Sequence, residues 1–383
     1  MTQKSTWKIP LYKIYSDDED ISIVSNVIKR GSNWAIGPEI AEFENAIKDY
    51  VGVDYCLTLN SGTSALHALF LSYGIKKNDE IIVPSFSFIS TANAVIFVDA
   101  KPIFAEIEDE TYGLDPKDIS NKITQSTKAI VPMDYGGMSC KIPDLKKICH
   151  EKNLLLIEDA AEGLGSSVNN QKTGSLSDSA IFSFCGNKVL TTGEGGAIVT
   201  NSKEIFEKVK LIRSHGRIDK KAYFENESSS TYQGIGYNWR MSSITAALGI
   251  SQLQKLDKII KMRRENANYI TKRLEKHLEI RLPIPPDTFE HIYQFYTIRL
   301  KNSHVRNDLH NFLTKKQIFS KVYFDPIHLS AFYKTKFGFK EGDLPITETI
   351  ASQVLTIPVY PNMTLEEKNY LINSISEFFE TKL

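Results

Sequence analysis

The sequence predicts an α/β protein in which a mainly parallel sheet lies between helices, followed by a smaller α+β domain. Short apolar runs alternate with helical patterns through the first half of the chain, and strands that alternate with helices pair into parallel sheets covered on both faces. The chain has 383 residues, enough for about two domains. We place residues 1–250 in the large domain and residues 251–383 in the small one.

The first predicted strand is the buried run Tyr55–Leu59, which leads through the turn Asn60–Ser64 into a helix closed by Gly74. Strand and helix patterns then alternate. They are strands Glu80–Val83, Pro102–Ile107, Ala129–Met133 and Leu154–Ile157, with helices through Thr91–Val95 and Ile142–Lys152.

The pattern changes near residue 180. Strands are predicted at Ala180–Phe184 and Ala197–Thr200, and because only a glycine-bearing loop separates them, a hairpin or an antiparallel sheet edge is expected. From Met241 the chain is mainly helical to about His277, and this stretch is expected to lead into the second domain. The remaining predicted elements are a helix from Ser202 towards Arg213, a strand at Tyr293–Leu300, and helices at Asp308–Lys316 and Leu365–Phe379.

Composition excludes several classes of protein. Hydrophobic residues make up 42% and charged residues 24%, a balance typical of a folded globular chain rather than a disordered one. Basic and acidic residues number 46 each, so the bulk charge gives no support for binding nucleic acid or an anionic membrane. No stretch approaches the ~18 apolar residues that span a bilayer, and the N-terminus has no apolar signal region.

The cysteines form no C-x-x-C pair, so neither a zinc site nor a disulfide framework is indicated. We therefore expect a reduced, cytoplasmic protein without a metal centre. The chain also lacks the GxxxxGK[ST] phosphate loop and the GxGxxG dinucleotide fingerprint.

The turn Asn60–Ser64 is the first candidate for a ligand site. The N–H groups at a helix N-terminus lack partners within the helix and lie at the positive end of its dipole, so they can bind a phosphate without a lysine. Gly62 lets the backbone approach a ligand closely, and the hydroxyls of Ser61, Thr63 and Ser64 add donors. The alternative is a simple helix cap by Ser61.

An acidic segment follows the strand Leu154–Ile157. Asp159 lies at the end of this apolar run, and Glu162 follows three positions later. Parallel sheets bind ligands at the carboxyl ends of their strands, which places Asp159 for a functional role. A helix cap and a metal ligand are the alternatives, although no histidine or second carboxylate cluster supports a metal.

Lys188 lies in a loop rich in small residues between two apolar strands. A lysine in such a place can be desolvated and so become nucleophilic near neutral pH. The alternative is a solvated surface lysine, with glycines around it that only form turns.

These three features together fit one cofactor, pyridoxal phosphate (PLP). PLP needs a phosphate site, a lysine that binds it as a Schiff base, and an acid that keeps its pyridinium nitrogen protonated. Lys188 follows Asp159 by 29 positions, which allows one strand–loop–strand excursion that brings both residues over the same ring. Phe88 is available to stack on that ring.

Six segments carry a resemblance that covers the chain from about Pro10 to its C-terminus. They are NSGTSAL, PSFSFISTANAV, IEDAAEGLGS, SFCGNKVLTTGEGG, YNWRMSSITAALGISQL and LPITETIASQVLTIPVYPNMT. In this order they resemble the DegT/DnrJ/EryC1/StrS family of PLP-dependent aminotransferases, which act on nucleotide-linked keto sugars. The resemblance implies fold type I, with a mixed, mostly parallel seven-stranded sheet in the large domain.

Within this resemblance, Lys188 matches the Schiff-base lysine, which also moves a proton between substrate and cofactor, and Asp159 matches the acid on the pyridinium nitrogen. Glu162 departs from the glutamine commonest at its position, which contacts the ring hydroxyl. Glutamate there, with Gly186 and Asn187 before the lysine, is most similar to the perosamine-synthase branch. That branch aminates C4 of a nucleotide-linked 4-keto-6-deoxyhexose with L-glutamate as the amino donor.

The resemblance also assigns the residues that bind the cofactor. Gly62, Thr63 and Ser183 match the phosphate site, and Phe88 matches the stacking aromatic. Asn238 matches an asparagine that family members lend to the phosphate of the neighbouring subunit, which implies a homodimer with shared active sites.

Four residues lie in family segments that face the sugar: Trp34, Asn187, His215 and His328. They are predicted to contact the substrate, although a histidine beside a proline turn, such as His328, is otherwise a routine structural residue. The nucleotide (GDP, UDP or dTDP) and the aminated carbon (C4 or C3) stay open.

Three other functions compete with this prediction. The family's dehydratase branch replaces the catalytic lysine with histidine, so Lys188 argues against it. A non-catalytic PLP-binding regulator would be favoured by loss of Lys188 or Asp159, and both are present. An NAD-dependent sugar enzyme is disfavoured by the missing GxGxxG motif.

Overall fold

A computed structural model describes residues 7–218 and 231–381. Within these residues the strands are β1 (Tyr55–Leu59), β2 (Glu80–Pro84), β3 (Lys101–Ala105), β4 (Thr127–Ile130), β5 (Leu155–Asp159), β6 (Ser167–Val168), β7 (Gln171–Lys172), β8 (Ser179–Ser183), β9 (Gly196–Thr200), β10 (Arg217–Ile218), β11 (Thr231–Tyr232), β12 (Phe289–Glu290), β13 (Tyr296–Arg299) and β14 (Val354–Ile357). The α-helices are α1 (Asp18–Arg30), α2 (Pro38–Val51), α3 (Gly62–Ser72), α4 (Ser90–Phe97), α5 (Pro116–Lys122), α6 (Ile142–Lys152), α7 (Lys203–Ile212), α8 (Ser243–Gln254), α9 (Leu256–Leu274), α10 (Ser303–Lys315), α11 (Ala331–Phe337), α12 (Pro345–Gln353) and α13 (Leu365–Glu380).

Seven strands form the central sheet, in the order β1-β9-β8-β5-β4-β2-β3. The neighbours from β3 across to β8 pair in parallel, whereas β9 runs antiparallel to both β8 and β1. The sheet is therefore mixed and mostly parallel, as predicted. The expected antiparallel pairing of β8 with β9 is confirmed, but β9 does not lie at the edge of the sheet. The edge strand on that side is β1, because β1 pairs with the side of β9 that faces away from β8.

Helices cover both faces of this sheet. In β2, Ile81 and Val83 face a core shared with α3, α4 and α7, while Ile82 between them faces α5 and α6. Helices α2 and α8 cover the second face over β8 and β9. Both faces being buried explains why these strands are apolar throughout rather than alternately apolar and polar.

A second hydrophobic core lies among β13, β14, α10, α13 and the end of α9. Helix α9 begins in the core on the sheet and ends in this second core, so it joins the two. The helical stretch predicted from Met241 is two helices, α8 and α9, which meet at Lys255. Ile9 also packs in the second core, and the division at residue 250 stays a prediction.

Candidate active site

The candidate site lies at one edge of the sheet, where β1, β5 and β8 end. β5 ends at Asp159 and β8 ends at Ser183, and the two strands pair in parallel with Asp159 opposite Ile181. Helix α3 begins at Gly62, just after β1. The three predicted features, which are far apart in the sequence, therefore lie at the same carboxyl edge, where α/β proteins bind ligands.

Lys188 and Glu162 form an ion pair in which the carboxyl is buried and the lysine is partly buried. The Lys188 Nζ lies 3.2 Å from Glu162 Oε1, and the exposed fractions of the two side chains are 14% and 2%. The other carboxyl oxygen of Glu162 accepts a 2.9 Å hydrogen bond from the N–H of Gly136. Burial raises the pKa of the Glu162 carboxyl, and the nearby Lys188 charge and the Gly136 N–H offset this only in part. Glu162 thus orients the lysine amine at the carboxyl edge of the sheet.

Asp159 is buried beside this pair. Its Oδ2 accepts a 2.6 Å hydrogen bond from the Thr91 hydroxyl, and its Oδ1 accepts one of 3.3 Å from the N–H of Ala161. Burial raises the pKa of the Asp159 carboxyl, against the opposing effects of Thr91, Ala161 and Lys188. A buried carboxylate of this kind is stabilised by a cationic N–H donor, which is what a protonated ring nitrogen supplies.

The turn into α3 brings together the residues predicted to bind phosphate. A Cβ atom added at Gly62 would lie 3.1 Å from the Cβ of Ser183, so the backbone approaches Ser183 as closely as only glycine allows without adjustment. Ser61 caps the helix, because its hydroxyl accepts from the Ser64 N–H at 3.1 Å. The N–H groups of Gly62 and Thr63 come earlier in the first turn, where no acceptor within the helix exists. The cap and an anion site are therefore compatible, and the turn fits a phosphate group.

Phe88 presents an aromatic ring to the same region. Its side chain is 57% exposed, while Phe86, two positions earlier, is fully buried. The Phe88 ring centroid lies 6.3 Å from that of Phe324. The Phe88 carbonyl accepts from the N–H of Thr91 at 3.2 Å, and the Thr91 hydroxyl binds Asp159. The exposed ring therefore belongs to a segment anchored at the buried acid and is available to cover a flat ligand.

Asn238 is exposed and lies next to the turn that precedes α3. The carbonyl of Trp239, the next residue, accepts from the Asn60 N–H at 2.9 Å. The predicted contribution of Asn238 to a neighbouring subunit stays a prediction.

The four predicted substrate contacts occupy different surroundings. Asn187 lies directly before Lys188. The Trp34 indole donates to the carbonyl of Val27 at 3.1 Å, which ties it to α1, and His215 is exposed with a positive φ of 61°.

His328 is fully buried, and both of its ring nitrogens have partners. Nδ1 lies 2.6 Å from the Ser85 hydroxyl and Nε2 lies 3.1 Å from Glu348. These contacts favour the structural alternative for His328, and its contact with substrate stays a prediction.

Two contributors to the site were not predicted. Thr91 binds Asp159 from the first turn of α4, and Gly136 binds Glu162 from the turn after β4. A signal for each exists in the sequence, because Thr91 lies in the PSFSFISTANAV segment and Gly136 follows the predicted strand Ala129–Met133.

Residues 15–376 match the profile of the DegT/DnrJ/EryC1/StrS aminotransferase family. The chain belongs to this family. Among its relatives are uncharacterized protein MJ1066 of Methanocaldococcus jannaschii, 34% identical over 96% of this chain and 97% of that protein, and GDP-perosamine synthase of Escherichia coli O157:H7, 32% identical over 98% and 99%. Among solved structures, Helicobacter pylori PseC, an aminotransferase involved in the biosynthesis of pseudoaminic acid, superimposes with a TM-score of 0.92 at 29% identity, covering 97% of this chain and 99% of PseC.

Membership in the DegT/DnrJ/EryC1/StrS family confirms that the protein is an enzyme, a sugar aminotransferase with PLP as cofactor and the predicted fold. Across residues 7–218 and 231–381, no helix is long and apolar enough to span a membrane.

Proposed function

We propose that the protein transfers the amino group of L-glutamate to C4 of a nucleotide-linked 4-keto-6-deoxyhexose and so forms the 4-amino-4,6-dideoxy sugar, as a perosamine synthase does. The observation that carries the proposal is the presence of glutamate at position 162, with its carboxyl 3.2 Å from Lys188 Nζ. Glutamate at this position resembles the perosamine-synthase branch. The likeness to a GDP-perosamine synthase over 98% of the chain supports the same reaction.

The side chains of the site divide the catalytic tasks. When bound, PLP supplies an electron sink for the charge that develops at the reacting carbon. Lys188 holds the cofactor and afterwards moves a proton to and from that carbon through Nζ, while Glu162 orients Nζ. Asp159 keeps a proton on the ring nitrogen. Burial disfavours the charged form of the Asp159 carboxyl, and the protonated nitrogen is the cation that stabilises it.

The remaining residues bind and orient the cofactor. Gly62, Thr63 and Ser183 hold its phosphate with N–H and hydroxyl donors, and Phe88 covers its ring. The protein acts in the cytoplasm as a homodimer, in which Asn238 of each subunit reaches the phosphate of the other. The exposure of Asn238 supports this arrangement.

A second candidate substrate is a UDP-linked keto sugar. The similarity to the UDP-4-amino-4,6-dideoxy-N-acetyl-beta-L-altrosamine transaminase of Helicobacter pylori, 32% identical over 95% of this chain, favours it. A non-catalytic regulator is disfavoured, since Lys188 and Asp159 are both present and lie at the same sheet edge.

The test is to incubate the purified protein with L-glutamate and a panel of GDP-, UDP- and dTDP-linked 4-keto-6-deoxy sugars, and to identify the aminated products by mass spectrometry. Amination of the GDP-linked ketone at C4 is the expected result. Preference for a UDP-linked ketone would favour the second candidate, and amination of no member of the panel would contradict both.

A further inference from the structure

Gln294 contacts the backbone directly before Lys188. Its side-chain amide donates a 2.7 Å hydrogen bond to the carbonyl of Asn187, which belongs to the peptide that joins Asn187 to Lys188. Gln294 is buried, lying between β12 and β13, more than a hundred positions from the lysine in the sequence. A bond to this carbonyl fixes the peptide plane from which the Lys188 side chain starts.

Arg263 on α9 holds Gln294 in turn. Its guanidinium is buried and donates to three backbone carbonyls, at 2.8 Å to Tyr293, 2.9 Å to Gln294 and 3.0 Å to Val359. Burial lowers the pKa of Arg263 to about 9. A buried guanidinium destabilises the fold unless its N–H groups have hydrogen-bond acceptors. The three bonds therefore fix the position of the Arg263 guanidinium relative to the three carbonyls.

The same segment also supports the partner of the lysine. The N–H of Phe295 donates to the carbonyl of Gly136 at 2.9 Å, and the N–H of Gly136 donates to Glu162. A Cβ atom at Gly137 would lie 2.8 Å from the backbone nitrogen of Gln294, so the two backbones are in close contact. Residues 294–295 therefore hold both sides of the Lys188–Glu162 pair, one through Asn187 and the other through Gly136.

We propose that Gln294 is a positioning residue for Lys188, held in place by Arg263, and that it sets the contact between Lys188 Nζ and Glu162. This inference rests on the proposed role of Lys188 as the residue that holds the cofactor. It assigns a function to a buried residue that acts on the lysine through the backbone of Asn187.

Gln294→Met tests the inference, because it removes the amide donor and keeps nearly the same volume. A nearby carboxylate favours the protonated form of a nitrogen. Loosening the Lys188–Glu162 contact should therefore lower the pH midpoint of the visible absorbance band of the PLP-loaded protein, by about half a unit or more. The rate at which L-glutamate shifts this band should fall by roughly 10²-fold, the effect of a misplacement of about 1 Å.

Gln353→Met is the matched control. The Gln353 amide also donates to a backbone carbonyl, that of Lys301 at 3.1 Å, in a part of the fold that does not contact Lys188. It should leave the midpoint unchanged. If Gln294→Met does not yield folded protein, Arg263→Lys provides the second test, because an ammonium cannot reproduce the three-carbonyl contact and should shift the midpoint in the same direction.

The outcomes separate the two proposals. A wild-type protein that takes up no PLP and shows no visible band would contradict the proposed role of Lys188 itself. If the wild type shows the visible band, and Gln294→Met has the same pH midpoint and the same rate with L-glutamate as the wild type, the positioning role alone is overturned. No sugar is needed, so the result does not depend on which keto sugar is aminated.

Discussion

The carboxyl of Glu162 lies 3.2 Å from the amine of Lys188, and the two residues come from loops that follow different strands of the sheet. Their contact is buried, so it is screened little by water or salt. Glutamine, the commonest residue at this position in the family, would place no charge beside the lysine amine. The charge of Glu162 is therefore the feature whose effect on the site can be measured most directly.

Glu162→Gln is expected to keep the fold and the uptake of PLP but to lower the pH midpoint of the visible band. The negative charge of Glu162 stabilises a protonated nitrogen at Lys188, and a neutral amide does not. The midpoint should fall by about one unit, measured by absorbance between acid and alkaline pH. A midpoint equal to that of the wild type would show that the charge of Glu162 does not act on Lys188.

Lys188→Ala is expected to abolish transamination, so that L-glutamate combines with bound PLP but no 2-oxoglutarate or amino sugar is released. In the proposed function Lys188 supplies the amine that holds the cofactor and moves the proton, and alanine can do neither. Lys146→Ala, a change at an exposed lysine on α6, is the control and should leave turnover unchanged. Full activity in Lys188→Ala would refute the role of this lysine.

Asp159→Asn is expected to slow the half-reaction with glutamate by about 10²-fold or more. The substitution is isosteric, and the amide oxygen can still accept from the Thr91 hydroxyl, so the fold should persist. The loss follows from the proposed function, in which Asp159 holds a proton on the ring nitrogen, because a neutral amide cannot do so. Stopped-flow absorbance measures the rate, and thermal unfolding of the same sample checks the fold. An unchanged rate in a folded variant would speak against this assignment.

Gly62→Ala is expected to weaken PLP binding by roughly tenfold, a loss of about 1.4 kcal/mol. The added methyl group would lie 3.1 Å from the Ser183 Cβ and would push apart the two sides of the phosphate site. Equilibrium titration of the cofactor-free protein with PLP measures the affinity. An affinity equal to that of the wild type would place the phosphate elsewhere.

A second pair of buried carboxyl groups predicts how stability depends on pH. Asp134 and Glu158 lie behind the site; burial raises the pKa of Asp134, helped by the charge of Glu158, and burial raises that of Glu158 as well. At pH values between the ordinary and the raised pKa of these two carboxyls, the folded state then binds more protons than the unfolded state. The stabilisation is present below the ordinary pKa of 3.8 or 4.5 and is lost as pH rises through the folded value.

At pH values above the range in which the carboxyls of lowered pKa titrate, urea unfolding should therefore show a free energy of unfolding that falls with rising pH, with a slope of at most about 1.4 kcal/mol per pH unit for each extra proton. Asp134→Asn should flatten this slope, because the amide does not titrate and can still accept from the N–H of Cys140. Asp144→Asn, at an exposed position on α6, should leave the slope as it is. Equal slopes in Asp134→Asn and the wild type would contradict the raised pKa of Asp134.

Local patterns predicted the parts of the fold that depend on local physics. The strands β1 and β2 and the helix Ile142–Lys152 lie where the apolar runs and their periodicity predict them. The spacing of apolar residues along each segment indicates which of its faces are buried. The position of β9 inside the sheet was not predictable in this way. It depends on pairing with β1, which lies far away in the sequence.

The site shows the same division. Gly62, Asp159 and Lys188 could be named because each lies in a short segment whose residue types suggest a chemical task. Thr91 was missed, and the sequence did not decide between the two roles considered for His328, since each depends on partners from distant segments of the chain. Such contacts exist only after the strands are ordered in the sheet.

The central claim, transfer of nitrogen from glutamate to a nucleotide-linked keto sugar, is tested most directly with L-glutamate labelled at its nitrogen. The purified, PLP-loaded protein is mixed with the labelled glutamate and a GDP-linked 4-keto-6-deoxy sugar, and the sugar nucleotide is analysed by mass spectrometry. The account predicts an amino sugar that carries the label, formed with an equal amount of 2-oxoglutarate. An unlabelled sugar in the presence of protein that has taken up PLP would contradict it.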